Sequence, residues 1–306
     1  MRTYTILALI PLAITGRAAA EGNIDGADRF AAPNGQLGAG LSFADEQKGR
    51  AYAELAFARA AASTSVAGAS ADTHINSLSL MLGGAYKVRP DIELEAMLPI
   101  AWAQYATSVT FLGQTASTSR AGLAVANLHL GASYLRAERP WRLKVGGALE
   151  YGPWTHNYEA PATVAVASMH PAYGGENFGL FAPDEFSIVT PARFEYGEQL
   201  VGSGDVQLGL HFPTHGGSAD FTIQLGPGIG YYVTPAILLG LRLPFTWVPT
   251  ESGSSATFFA AEPYARFDFG KAFVNTSLML NIDDPYGFAF DSGKWWSIHV
   301  GGGGTF

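Results

Sequence analysis

The 306-residue sequence predicts an all-β fold, a transmembrane up-and-down antiparallel β-barrel of about twelve strands, with fourteen as the alternative. Three observations predict it. Apolar side chains recur at every second position through a series of segments, which marks strands whose two faces meet unlike environments. Charged residues are only 14% of the chain, well below the roughly 25% of soluble domains, yet no run of about 18 apolar residues follows the N-terminus, so helical spans are excluded. Aromatic residues stand at the borders of the apolar faces, where a lipid–water interface would hold them. A soluble sandwich would also alternate, but with shorter strands and exposed faces far richer in charge.

Residues 1–20 have the three parts of a signal peptide: Arg2 as the positive start, Ile6 to Ile14 as the apolar core, and Ala18-Ala19-Ala20 as a small-residue cleavage site. Its removal would take Arg2 and Arg17 and deepen the net charge of −8 by two, which argues against nucleic acid as a partner. The absence of cysteine excludes a lipoprotein anchor, disulfides and thiolate metal sites. Residues 21–49 are expected to be a periplasmic lead-in, Gly/Asp/Ala-rich at its start, and residues 50–306 the barrel domain.

The alternating segments place strands at about 50–63, 74–87, 91–104, 121–136, 141–154, 188–201, 205–213, 220–233, 236–248, 257–269, 272–282 and 295–306. Glu54 and Tyr52 oppose Ala53, Leu55 and Phe57. Leu94, Leu98 and Ile100 oppose Glu93 and Glu95; Leu143, Val145 and Leu149 oppose Arg142, Lys144 and Glu150. Val206, Leu208 and Leu210 oppose Asp205 and His211; Leu239, Leu241 and Leu243 oppose Arg242; Phe259, Ala261 and Phe267 oppose Glu262, Arg266 and Asp268. Pro and Gly punctuate short turns at Lys87 to Asp91, Ala137 to Pro140, Tyr232 to Pro235 and Phe269 to Lys271, with Ser203-Gly204 as a fifth. These suit the periplasmic side. The Ala/Ser/Thr-rich stretches 61–73 and 106–120, with 155–187, 249–256, 283–294 and the tight Gly216 to Asp220, suit exterior loops.

Glu93, Glu95, Arg142, Lys144, Glu150, Arg193, Glu195, Asp205, Arg242, Glu262, Arg266 and Asp268 are the candidate lumen-lining residues. Both signs are present, so they either pair with one another or form a charged constriction that selects solutes. The 155–187 segment carries more apolar residues than a solvated loop needs, with a helical turn or two expected over 163–169. It folds into or over the mouth as a gate, or packs on its neighbours. The histidines lack metal-site spacing, and His129, His211 and His299 fall on inward faces as polar filler. No cofactor is implied. Ser297 and His299 both point inward and assemble no visible nucleophile–base set, so no enzyme is expected.

The last strand alternates Trp296, Ile298, Val300, Gly302, Gly304 and Phe306 against Ser297 and His299. Ending on Phe306, it resembles the closing strand of Gram-negative outer-membrane β-barrels, and that resemblance implies an assembly signal read by the barrel-assembly machinery. The phrases Leu94-Glu95-Ala96-Met97-Leu98-Pro99-Ile100, Gly204-Asp205-Val206-Gln207-Leu208-Gly209-Leu210, Phe212-Pro213-Thr214-His215-Gly216 and Leu241-Arg242-Leu243-Pro244-Phe245 are similar to the outer-membrane family associated with phenol degradation, of the MetA-pathway type. That resemblance implies a transporter of small hydrophobic or aromatic compounds. The expectation is therefore an outer-membrane barrel of a Gram-negative bacterium, in contact with lipid, acting as a passive channel or transporter for small solutes. The alternative is a non-conducting structural or adhesin-like barrel whose exterior loops bind surfaces or partners.

Overall fold

The computed structural model describes residues 48–66, 69–138, 140–155, 160–173, 176–214, 218–249, 257–282 and 295–306. The expected signal peptide, the lead-in up to residue 47, the connections at 250–256 and 283–294, residues 215–217, and His156 lie outside these residues.

Alternation of apolar and polar residues produces fourteen strands: β1 Gly49–Val66, β2 Ala69–Arg89, β3 Ile92–Phe111, β4 Gln114–Val125, β5 Leu128–Glu138, β6 Trp141–Tyr151, β7 Glu185–Gly197, β8 Leu200–Pro213, β9 Asp220–Thr234, β10 Ile237–Arg242, β11 Phe245–Trp247, β12 Thr257–Asp268, β13 Ala272–Asn281 and β14 Trp296–Thr305. They form twelve wall strands. β4 and β5 both pair with β3, one above the other, and β10 and β11 share the flanking strands β9 and β12. Pro244 explains the second interruption, because it has no N–H to give to a ladder.

All neighbours are antiparallel, and β1 closes on β14 from Arg50↔Thr305 to Arg59↔Trp296. Closure matters because hydrocarbon offers no partner to an open sheet edge. The seam continues past the ladder: the Phe306 carbonyl accepts the Lys48 and Gly49 N–H groups at 2.9 and 3.0 Å, and the Phe306 N–H donates to Gly49 at 2.9 Å. A Cβ at position 49 would lie 2.3 Å from the Phe306 ring, so a larger residue there would displace that ring.

The two faces differ as alternation requires. Leu55, Leu94, Leu149, Val206, Leu239 and Val300 are exposed on the outer face, while Glu54, Glu93, Glu150, Gln207, Arg242 and His299 are buried. Tyr86, Tyr134, Tyr196, Tyr231 and Phe269 are exposed near the short turns, and Tyr151, Phe212 and Trp247 near the opposite ends of the strands. These are two aromatic girdles around an apolar band.

Two expectations are corrected. Residues 61–73 and 106–120 are not loops. The β1–β2 ladder runs to Val66↔Ala69 and the β3–β4 ladder to Phe111↔Gln114. Ser and Thr sustain these strands but are polar on both faces, so no contrast betrays them. The β3–β4 hairpin turns on Leu112 and Gly113, both with positive φ (49° and 79°), the geometry of a two-residue turn that follows strand twist. The fifth short turn is also not at Ser203-Gly204, which pair with Gly228 and Pro227 inside the β8–β9 ladder. It lies at Glu198-Gln199, where Gly197 with φ +119° lets the chain reverse.

Candidate functional site

The chain between β6 and β7 turns inward and fills part of the barrel. It forms α1 Ala160–Ala167, α2 Met169–Ala172 and a 3-10 turn at Phe178–Phe181. An apolar helix is stable only where it is covered, and here the barrel interior covers it. Ala165, Val166, Met169, Ala172, Tyr173, Leu180 and Phe181 share one buried cluster with Ala56, Ala58 and Ala60 of β1, Met81 of β2, and Met97, Ala101 and Ala103 of β3. The wall gives way to the helix by being small. At Gly122 of β4 a Cβ would sit 2.1 Å from the Pro161 carbonyl oxygen, so only glycine lets α1 lie this close.

Polar contacts latch this plug to the wall at separate points. Asn127 stands in the gap between β4 and β5, and its amide donates to the carbonyls of Gly179 and Ala182, both at 2.7 Å. Its backbone N–H donates to the Leu180 carbonyl at 2.9 Å. The indole N–H of Trp154 donates to the Val125 carbonyl in the same gap at 2.7 Å. Ser79 and the Tyr173 hydroxyl are 3.0 Å apart, and Tyr173 stacks on Phe181 with ring centres 5.2 Å apart. Glu176 pairs with Arg242 of β10 through both guanidinium Nη atoms, one at 2.8 Å. Burial pushes the Glu176 carboxyl up, and the Arg242 guanidinium pulls it partly back, leaving it at about 7.

One latch has the order of a nucleophile, a base and its orienting group. Ser297 Oγ is 2.8 Å from His299 Nε2, and His299 Nδ1 is 3.2 Å from Glu54. Both Ser297 and His299, however, are turned to the carbonyl oxygen of Ala172 in α2, to which the Ser297 hydroxyl donates. A hydroxyl whose proton lies on a plug carbonyl is not directed at a base, so the row holds the plug and is not arranged for attack.

Towards the short-turn end the interior is charged. All twelve candidate residues lie on the inner face and are buried, except that Asp205 and Asp268 keep 20% and 11% of their side-chain area accessible. Most are joined strand to strand. Arg50 of β1 reaches Glu93 at 2.9 Å, and Lys144 reaches Glu93 at 2.9 Å and Glu95 at 2.7 Å. Arg142 pairs with Glu195 at 3.2 Å, and Arg193 with Glu195 at 2.8 Å and Asp205 at 3.0 Å. Arg242 then takes Asp205 at 3.0 Å and Glu262 at 3.3 Å, Arg266 pairs with Asp268 at 2.7 Å, and Glu150 receives His129 at 3.0 Å. Opposite charges thus alternate around the wall, the arrangement a confined interior requires.

Asn127, Glu176 and Tyr173 make contacts that the alternation of the sequence does not mark. Asn127 did leave a trace. Outward residues run Leu123, Val125, then Leu128, Leu130, so the parity slips by one there, and Ala126 and Asn127 are consecutively buried. Glu176 is the one acid in the stretch from Ala160 to Ala182.

No family model matches the chain, and no curated protein matches it in sequence. Among solved structures, an outer membrane channel from Pseudomonas putida F1 superimposes with TM-score 0.53 at 14% identity, over 86% of this chain and 99% of that one. The Ralstonia pickettii toluene transporter TbuX (TM-score 0.39, 8% identity, 85% and 90% covered) and the translocator domain of the Neisseria meningitidis autotransporter NalP (0.42, 10%, 85% and 88%) are more distant barrels. The chain has the fold of Gram-negative outer-membrane β-barrels.

Proposed function

We propose that this chain is an outer-membrane passive channel for small molecules, hydrophobic or aromatic ones included, gated by the plug between β6 and β7. The observation that carries this reading is the way the plug is held. A folded segment of the same chain lies against small side chains, fixed by a few separate polar latches at Asn127, Ser79, Ser297, His299 and Arg242. Such a segment can leave without unfolding the wall. Withdrawn, it would uncover a track of Ala56, Ala58, Ala60, Met81, Met97, Ala101 and Ala103, an apolar surface suited to an apolar solute. The ion-pair belt at the short-turn end would then line the exit, and its balanced signs suit uncharged cargo.

On the same reading residues 1–20 are cleaved on export, the short turns and the lead-in face the periplasm, the outer face meets outer-membrane lipid, and Phe306 is read by the barrel-assembly machinery. The chain acts without a cofactor and is not an enzyme.

The second reading, a non-conducting structural barrel, draws on the same interior: a plug with one face buried in the wall and a charged belt neutralised by its own pairs fit a rigid post equally well. Liposome swelling separates the two. Proteoliposomes challenged with isosmotic small neutral solutes should swell at rates that fall with solute size. Rates equal to those of protein-free vesicles for every solute would favour the structural barrel.

A further inference from the structure

Under the plug, the inner faces of β2, β1 and β14 form a saddle. Strand register puts Ser79, Ala56 and His299 in one row, and Ser77, Ala58 and Ser297 in the next. Alanine is the floor of this saddle, and the four polar side chains on its flanks are buried. The plug seats two consecutive residues here. The Ala172 carbonyl oxygen receives the Ser297 hydroxyl and lies 3.1 Å from His299 Nε2. Glu54 holds the other ring nitrogen at 3.2 Å and so fixes the imidazole. The Tyr173 ring stands edge-on to His299 with centres 4.7 Å apart, and its hydroxyl is 3.0 Å from Ser79.

Two side chains of the wall thus converge on one carbonyl oxygen beside an aromatic ring. A third group goes unused. Ser77 Oγ, fully buried in the same patch, has no hydrogen-bond partner among the described residues. A buried hydroxyl is unfavourable until it is met, and native interiors leave few such groups. The plug therefore satisfies this wall incompletely. It also shows what fits: the space takes a benzene ring, because the Tyr173 ring fills it. Around that ring the wall is apolar, with Ala56, Ala58, Ala101, Ala103 and Met81 in one cluster with Tyr173. His299 and Glu54 already face each other, so an ionic guest would have to break a buried pair, which is costly.

We propose that this saddle is a solute site that the plug occupies in its ligand's place, the ligand being an uncharged molecule with an aromatic body and a carbonyl group. The proposal rests on the channel reading for a plug that leaves the wall, and adds to it the class of solute. Solute and plug exclude one another here, so binding draws the plug out. The detergent-solubilised full-length barrel is titrated with acetophenone and with α-methylstyrene, which has the same shape but a methylene in place of the carbonyl oxygen. Acetophenone should bind saturably and raise protease cutting between residues 152 and 184. α-Methylstyrene should need about tenfold more, the worth of one or two hydrogen bonds. Plug docking weakens both probes by the same factor, so their ratio reports the wall donors alone. Ser297→Ala should bring that ratio to about threefold or less, while Ser297→Thr keeps it. Should Ser297→Ala fail to assemble, His299→Phe is titrated with the same drop expected. If the parent gives no acetophenone isotherm, Tyr173→Ala, which vacates the ring space and loosens the plug, is titrated in its place. No isotherm there either would overturn the proposal. So would equal binding of the two probes, or a ratio that Ser297→Ala and His299→Phe leave intact. Inert proteoliposomes beside a clear acetophenone preference would remove the channel and keep the site; swelling beside equal binding would remove the site and keep the channel.

Discussion

The two sides of this interior are built on opposite plans. Where the plug docks on β1 to β4 the inward positions are small or flexible, Ala56, Ala58, Ala60, Met81, Ala101, Ala103 and Ala124, while Arg50, Glu54, Glu93 and Glu95 carry the charge of these strands nearer the short turns. The small positions leave room that another part of the chain must fill. Along β6 to β12 the inward positions are long and charged: Lys144, Arg193, Asp205, Arg242 and Glu262 fill the space and satisfy one another. The comparison teaches that the plug's position follows from side-chain size around the wall. A helix docks where the wall is alanine and glycine, and long charged side chains take its place where they pair across the interior.

The largest expected effect is on the charged side. Arg242→Met leaves Glu176, Asp205 and Glu262 without their shared cation, and stranding buried carboxylates costs about 3–5 kcal/mol. The temperature at which the folded band converts to the unfolded one on gels should drop clearly. On the alanine side Gly122→Leu drives a side chain into the Pro161 backbone, an overpacking cost of about 1–3 kcal/mol that the plug can escape by leaving. Proteases should then cut between residues 152 and 184 while the conversion temperature of the barrel barely moves. If both variants lowered that temperature equally, plug and wall would be one cooperative unit and the contrast between the two sides would fail.

Asn127→Ala should act more mildly. It removes the donor to Gly179 and Ala182, leaving two buried carbonyls short of a partner at a cost of about 1–3 kcal/mol in plug docking. Its expected signature is partial protease sensitivity. The smallest effect is that of pH. Docked Glu176 holds its proton up to about 7, whereas a carboxyl freed into solvent releases it near 4.3. The docked plug thus binds the proton more tightly, and docking weakens as pH rises from about 5 to 8. Protease sensitivity should rise over that range in the parent and stay flat in Glu176→Gln.

The outer half of the architecture was open to sequence reading because an apolar outer face makes a uniform demand. Leu94, Val206, Leu241 and Ile298 are apolar at every second position whatever their neighbours are, and that period marks the wall strands. The extensions at 61–73 and 106–120 escaped because Ala, Ser and Thr alternate there without an apolar–polar contrast. The interior was legible by parity only. Glu93, Lys144 and Arg193 could be assigned to one face, but their partners depend on inter-strand register, which a period of two does not encode. The plug contacts were less accessible still. Tyr173 meets Ser79 and Ala172 meets Ser297 across 94 and 125 residues of chain, and only the folded wall brings them together.

Conductance of the barrel with and without its plug addresses the central claim most directly. The parent and a variant lacking residues 160–182 would be inserted into planar lipid bilayers and recorded at single-channel resolution. A plug that fills the alanine side predicts a markedly larger unitary conductance for the variant. Equal conductance, with both proteins folded by gel mobility, would contradict it.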